Sequence, residues 1–450
     1  MYNSLSVNPG GRLLKTLTAQ FRQFPRVFRV LVAATFIDRL GGALIFPFLS
    51  LYIAQRFHVS MTEIGLLFGM WSLSSLVGSM VGGALADKIG RKAILICGLL
   101  FSAGTALMMG FVDEVRYFYF IAAFAGLFSD IGHPAQQAMV ADLLDGEQRA
   151  EGFSLLRVVA NLAVTFGPMI GGLLAGISYL LLFIIDAVAS TITALIVYGA
   201  IPETKPERSP EKPPESVLMT LAGYGRVLKD KLFLAFVFAM IIMLTVYTQM
   251  YGTLSVFLFR VHDVPARGFG YIMSMNAAMV VLLQFWVTRS IRTFPPMLMM
   301  VAASALYGIG FLMYGFVSAF WLFMLAMVII TIGEMVHVPV AQALVAFLSP
   351  EDMRGRYMAF FGLAWMIPNI VASFLAGLVM DNYNPNLVWV WAGLLSLVAV
   401  AAFFVLYLRT RHRPGVGIPV LAKGIETTME SEKEIKNRDF PLICRTIFAF

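Results

Sequence analysis

Apolar residues run along this chain in long stretches, broken at charged clusters and turn residues rather than alternating or recurring on one helical face. A helix needs about 20 apolar residues to cross the hydrocarbon core. The breaks give spans at 27–53, 64–86, 93–112, 116–141, 152–175, 178–200, 232–258, 268–288, 295–316, 319–347, 356–380 and 388–408. Two joints are weakly marked, because residues 293–333 hold no charged side chain and residues 158–202 hold only Asp186. A helix through 293–333 would run about 60 Å, twice the hydrocarbon thickness, so turns are required near Ser318 and Ser178. The pattern predicts an all-α integral membrane protein of twelve transmembrane helices in two six-helix bundles. Its parts are an N-terminal segment 1–26, a first bundle 27–200, a linker 201–231, a second bundle 232–408 and a tail 409–450.

Composition agrees: 59% of residues are hydrophobic and 13% charged, against about 25% charged in a globular domain. The net charge of +7 would suggest nucleic acid in a soluble protein, but here the basic residues sort by topology. With both termini cytoplasmic, only Arg56, Arg116, Arg260 and Arg267 of the loop lysines and arginines before residue 414 fall on the outer side. That bias accounts for most of the positive charge without a nucleic-acid partner. The opening segment is basic and moderately amphipathic, which suits a cytoplasmic helix on the bilayer, or an organelle transit peptide. The linker IPETKPERSPEKPPESVLM is too rich in proline and charge to be buried. Cys97 and Cys444 give neither a disulfide framework nor a metal site, and no cofactor or metal is expected.

An offset of 205 residues aligns PAQQAMVADLLDGEQRAEG, from Pro134, with PVAQALVAFLSPEDMRGRY, from Pro339. The two halves therefore share one fold, related by an axis along the membrane normal. Between the second and third spans stands GGALADKIGRK, Gly82 to Lys92. With this loop the chain resembles the major facilitator superfamily. The resemblance implies a cytoplasmic gate of Gly83, Asp87, Gly90, Arg91 and Lys92, and an outward-facing state in which Asp87 and Arg91 interact across the bundle boundary. In the fifth span, Gly167, Pro168, Gly171 and Gly172 resemble part of a motif of drug and proton antiporters, with Ala163 where a glycine is usual. Two family features are missing: the fourth-span arginine is Ala122, and FIDRLGGALIFPF lacks the E-x-x-E-R pattern of peptide symporters.

Charges at bilayer depth are costly and should face a cavity or each other. The candidates are Asp38, Arg39, Asp130, His133, Asp142, Arg157, Asp186, Glu334 and His337. Asp38 and Arg39 are neighbours and so point about 100° apart, toward different partners. Arg39 is expected to meet an acid across the cavity, or to form a structural ion pair. Arg157, four residues before Asn161, either binds an anionic substrate group or holds Asp38, Asp130 or Asp142. Asp130 with His133, and Glu334 with His337, share helix faces at i and i+3. Desolvation disfavours a charged carboxylate, so such acids can exchange protons. Glu334, Asp38, Asp130, His337 and His133 are proton-coupling candidates, with Glu334 foremost and a hydrogen-bonded structural acid as its alternative. Phe36, Phe46, Phe48, Tyr247, Tyr251, Trp365 and Met366 either line an adaptable apolar cavity or simply pack.

These readings converge on a secondary active transporter of the cell membrane, in bacteria the inner membrane, that exports lipophilic or amphipathic molecules against protons. It is expected to act as a monomer in contact with membrane lipids. Lipid or lysophospholipid translocation, another solute symport, and a non-transporting receptor or scaffold are the rivals. No P-loop is present, and the scattered ionisable residues make no catalytic set, so an enzyme is not expected.

Overall fold

The computed structural model describes residues 21, 23–204, 225–350, 353–413 and 416, all helical or in turns, with no strand among them. Eleven helices or helix runs are long and apolar enough to cross a membrane. The twelfth span is the fourth, which is split into Val115–Ser129 and Gly132–Leu143, each too short to cross alone. The continuous span 116–141 expected from the sequence is thus corrected. Pro134 has no N–H to offer the carbonyl of Asp130, four residues back, and Gly132 adds backbone freedom at the same turn.

The first span is also interrupted: Arg26–Ile45 passes through a 3₁₀ turn, Phe46–Phe48 around Pro47, into Leu49–Phe57. The seventh runs as Lys231–Tyr247, Gln249–Gly252 and Leu254–His262. The remaining spans are Met61–Ile89, Arg91–Phe111, Gly146–Ala175, Tyr179–Ala200, Ala266–Ile291, Pro296–Tyr314, Phe320–Leu348, Arg354–Asn382 and Leu387–Thr410. Helix ends at Ala175 and Tyr314 agree with the turns deduced from length alone.

Spans one to six pack mainly on one another, as do seven to twelve. The bundles meet along the second and eleventh spans and along the fifth and eighth, pairs that exchange under the 205-residue repeat. The repeat is visible in detail: Ser50 and Ser255 Oγ, 205 residues apart, lie 3.0 Å from each other where the two bundles touch. His58 and Asp263, the same distance apart in sequence, end their helices with φ of 52° and 53°. We call the face bearing the turns at 58–60, 112–114, 176–178, 263–265 and 383–386 the far face, and the one bearing Arg26, Glu203 and Arg413 the near face. The segments 1–20 and 205–224 and most of the tail lie outside the described residues.

Candidate functional site

In the first bundle a cavity of about 330 Å³ opens between the first, third, fourth, fifth and sixth spans, with Trp71 from the second and Tyr251 from the seventh. Asp38, Arg39, Asp130 and Asp186 line it, among apolar walls that include Ile45, Phe46, Trp71, Met109 and Phe183. Asp38 accepts a hydrogen bond from Ser190 Oγ at 2.9 Å. Arg39 bonds neither acid: its Nη2 lies 3.2 Å from His133 Nδ1, and the far nitrogen of that ring sits 3.2 Å from Gln137 Nε2. The expected acid partner of Arg39 is therefore corrected to His133. Asp130 takes the Ser75 hydroxyl; it lies in the break of the fourth span, and its side chain does not bond that of His133, whose backbone N–H meets the Asp130 carbonyl at 3.2 Å.

In the second bundle Glu334 is clasped by two donors. Tyr247 OH donates to Oε1 at 2.8 Å, and Asn276 Nδ2 to Oε2 at 2.8 Å, with Thr331 Oγ1 2.9 Å from the same amide nitrogen. Among the described residues Glu334 has no ion-pair partner. His337 does not touch it either: its Nδ1 is 3.2 Å from Tyr307 OH, with both residues at most 1% exposed. The ring of Trp365 packs 5.9 Å from Tyr247 and 6.1 Å from His337, so Trp365 and Tyr247 wall this cluster. Tyr247 OH lies 3.4 Å from Tyr251 OH. Because Tyr251 lines the cavity, the two tyrosines connect Glu334 to it.

Other candidates fall elsewhere. Phe46 is exposed and sits between Phe68 and Tyr251, whereas Phe48 is fully buried against Phe269, a packing role. Arg157 Nη1 donates to Gln342 Oε1 at 2.7 Å, across the bundle boundary, rather than holding Asp38, Asp130 or Asp142. Asn161 is exposed on that helix, its carbonyl accepting from Thr165. Asp142 pairs with Arg91 on the near face, outside the cavity.

Around the near-face loop, Arg91 also donates to the carbonyl of Ala138 at 3.1 Å, and Lys92 Nζ to that of Tyr198 at 2.7 Å. Glu203 accepts from the backbone N–H groups of Arg91 and Lys92 at 2.9 and 3.2 Å, a carboxylate at a helix N-terminus beside Gly90. Gly83 lies on the second span. The Asp87 side chain lies outside the described residues. Glu203, Ser75, Ser190, Asn276 and Tyr307 were missed by the sequence reading. The acid in PETK carried a signal, as an anion following a span, but the neutral residues carried none.

The family model described as Major Facilitator Superfamily matches residues 31–333 and 262–449. A Na(+), Li(+), K(+)/H(+) antiporter of Planococcus maritimus is 26% identical over 382 residues, 78% of this chain and 89% of that protein. Multidrug resistance protein MdtH of Shigella sonnei is 23% identical over 368 residues, 81% of this chain and 90% of that one. The crystal structure of nucleoside transporter NupG superposes with a TM-score of 0.72 at 14% identity, over 85% of this chain and 99% of that chain, a likeness of fold. With the transmembrane spans and these matches together, the chain is a multi-pass membrane transporter rather than an enzyme, and it belongs to the Major Facilitator Superfamily.

Proposed function

We propose that the protein is a proton-coupled antiporter that exports lipophilic or amphipathic small molecules by alternating access, with Glu334 as the group that takes up and releases the proton. The observation that carries this reading is the setting of Glu334. It is a carboxylate with two neutral donors and no cation within ion-pair reach among the described residues, joined through Tyr247 and Tyr251 to the cavity. A lone carboxylate away from water is tolerated when neutral or well solvated by hydrogen bonds, and alternation between its two forms is what couples a gradient to movement. Asp38 and Asp130 are secondary protonation sites on the cavity wall. Mostly apolar walls suit a lipophilic solute, and relatives named for cation/proton antiport and for multidrug resistance support efflux. The near face is the cytoplasmic one in this reading, so both chain ends face the cytoplasm.

The test is transport by the purified protein in proteoliposomes under an imposed pH gradient. The panel holds tetraphenylphosphonium, a neutral amphiphile, a lysophospholipid and a dipeptide. For whichever solute the wild type concentrates, Glu334→Gln should hold substrate exchange within about threefold while uphill accumulation is lost. A Gln variant that still concentrates solute with wild-type pH dependence makes Glu334 a structural acid and moves the coupling role to Asp38 or Asp130.

A further inference from the structure

The first bundle holds one carboxylate on the cavity that the Glu334 reading leaves without a task. Asp186 lies on the sixth span, half-buried, lining the cavity, with no hydrogen bond or ion pair among the described residues. It faces the first span where that helix has only glycine: a Cβ at Gly41 would stand 2.7 Å from Asp186 Oδ1, and one at Gly42 4.0 Å away. Asp38 precedes Gly41 and Gly42 by three and four residues, which puts it on the same face of the first span. Ser190 follows Asp186 by four, on the same face of the sixth, and its hydroxyl bonds Asp38. The two carboxylates are therefore offset by about one helical turn along one interface, with the Ser190 hydroxyl on Asp38.

Arg39 is near enough for its charge to act on Asp38, but among the described residues no cationic side chain is bonded to either acid. The other charged groups on this cavity are Arg39 and Asp130, with His133 behind Arg39, and Tyr251 facing from the seventh span. Arg39 is directed at His133, and Asp130 adds a further negative charge bonded only to a serine. Hard anionic oxygens with a hydroxyl, in a small cleft without a cationic side chain bonded to them, are the donor set of a hard cation.

We propose that Asp38, Asp186 and Ser190 form a binding site for an alkali-metal cation in the first bundle, distinct from the proton site at Glu334. The site lies on the cavity, so a cation held there is placed to travel with, or in exchange for, whatever the cavity carries. The proposal stands on its own geometry and does not depend on the role given to Glu334.

Binding is read on the full-length protein in detergent at constant ionic strength, with LiCl, NaCl or KCl replacing N-methylglucamine chloride, by thermal unfolding and by displacement of radioactive sodium. At least one alkali ion should bind saturably. Asp186→Asn and Asp38→Asn, which keep side-chain shape, should each weaken it by about tenfold or more, and Ser190→Ala by less. Glu334→Gln should leave the titration unchanged, which separates this site from the coupling reading. Melting of the variants in N-methylglucamine chloride near the wild-type temperature checks that they are folded. Should an Asn variant not fold, the Ser190→Ala titration decides. The proposal is overturned by absence of saturable alkali binding, by wild-type affinity in the Asn variants or, where these do not fold, in Ser190→Ala, by loss in Glu334→Gln, or by binding of tetraphenylphosphonium alone.

Discussion

At the scale of single residues, the two polar groups of TIGEMVHVPV divide into different tasks although they lie one helical turn apart. Glu334 is partly buried and faces Tyr247 and Asn276, whose donors stabilise either of its forms. His337 is sealed at 1% exposure against Tyr307, whose own hydroxyl has no other partner among the described residues. Removing the His337 ring leaves that hydroxyl unpaired, a cost of about 1–3 kcal/mol. His337→Ala should therefore lower the melting temperature while preserving the ratio of solute accumulated to pH gradient imposed. Tyr247→Phe keeps the ring that packs on Trp365 and Tyr307 but loses a hydrogen bond to the carboxylate, worth about 1.5–3 kcal/mol, so it too should lower the melting temperature. Unlike His337→Ala, it should also cut accumulation by about tenfold or more. A His337→Ala protein that melts normally but accumulates poorly would transfer the coupling role to the histidine. The acids themselves were legible in the sequence, because a charge in an apolar run announces itself. Their partners were not. Asn276, Ser190 and Tyr307 are ordinary polar residues in spans, and which acid each one meets depends on helix rotation that no local pattern encodes.

Among the elements, span positions followed from hydrocarbon thickness alone, whereas the internal breaks did not. The fourth and tenth spans show why. Pro134 and Pro339 are repeat equivalents, yet Phe320–Leu348 continues through Pro339 while the fourth span stops at Ser129 and resumes at Gly132. The difference two residues earlier is Gly132 against His337. Proline alone is absorbed when neighbouring helices hold the chain, and proline with glycine is not. The break is then used in packing: the second span crosses it at Gly82, where a Cβ would collide with the carbonyl of Ile131. Gly82→Ala should cost about 1–3 kcal/mol through backbone displacement. Gly104→Ala, with no atom within 4 Å of the added methyl, should be neutral or slightly stabilising. Thermal unfolding in one detergent compares them, and equal midpoints would mean that the fourth span shifts freely at its break.

For the whole molecule, the bonds that cross between bundles gather at the far face. Asp381, at the end of the eleventh span, accepts from the N–H groups of Met61 and Thr62 at 3.0 and 2.7 Å and from the Thr62 hydroxyl at 2.6 Å. It thus places a carboxylate on the N-terminus of the second span, where the helix dipole and unpaired N–H groups favour negative charge. Arg260 ties the same corner, donating to the carbonyl of Val59 at 2.5 Å and standing 3.9 Å from Asp381. On the near-face side the described cross-bundle hydrogen bond is Arg157 to Gln342. Opening the far face must separate Asp381 from its three donors, while the second span keeps its own cap, a box formed by Ser60 and Glu63. The donors left behind can then be met by water, so the latch is a bias rather than a lock. Asp381→Asn keeps an acceptor oxygen but loses the charge, and a bias of about 1–3 kcal/mol is enough to shift a two-state transporter by about 5- to 150-fold. The variant should populate the state open at the far face, seen as longer distances between spin labels placed at the far-face ends of the second and eleventh spans. Arg157→Ala should move the same distances the opposite way or not at all. Unchanged distributions in Asp381→Asn would show that the helix crossings at Gly172 and Gly270, rather than the charged corner, hold the far face shut.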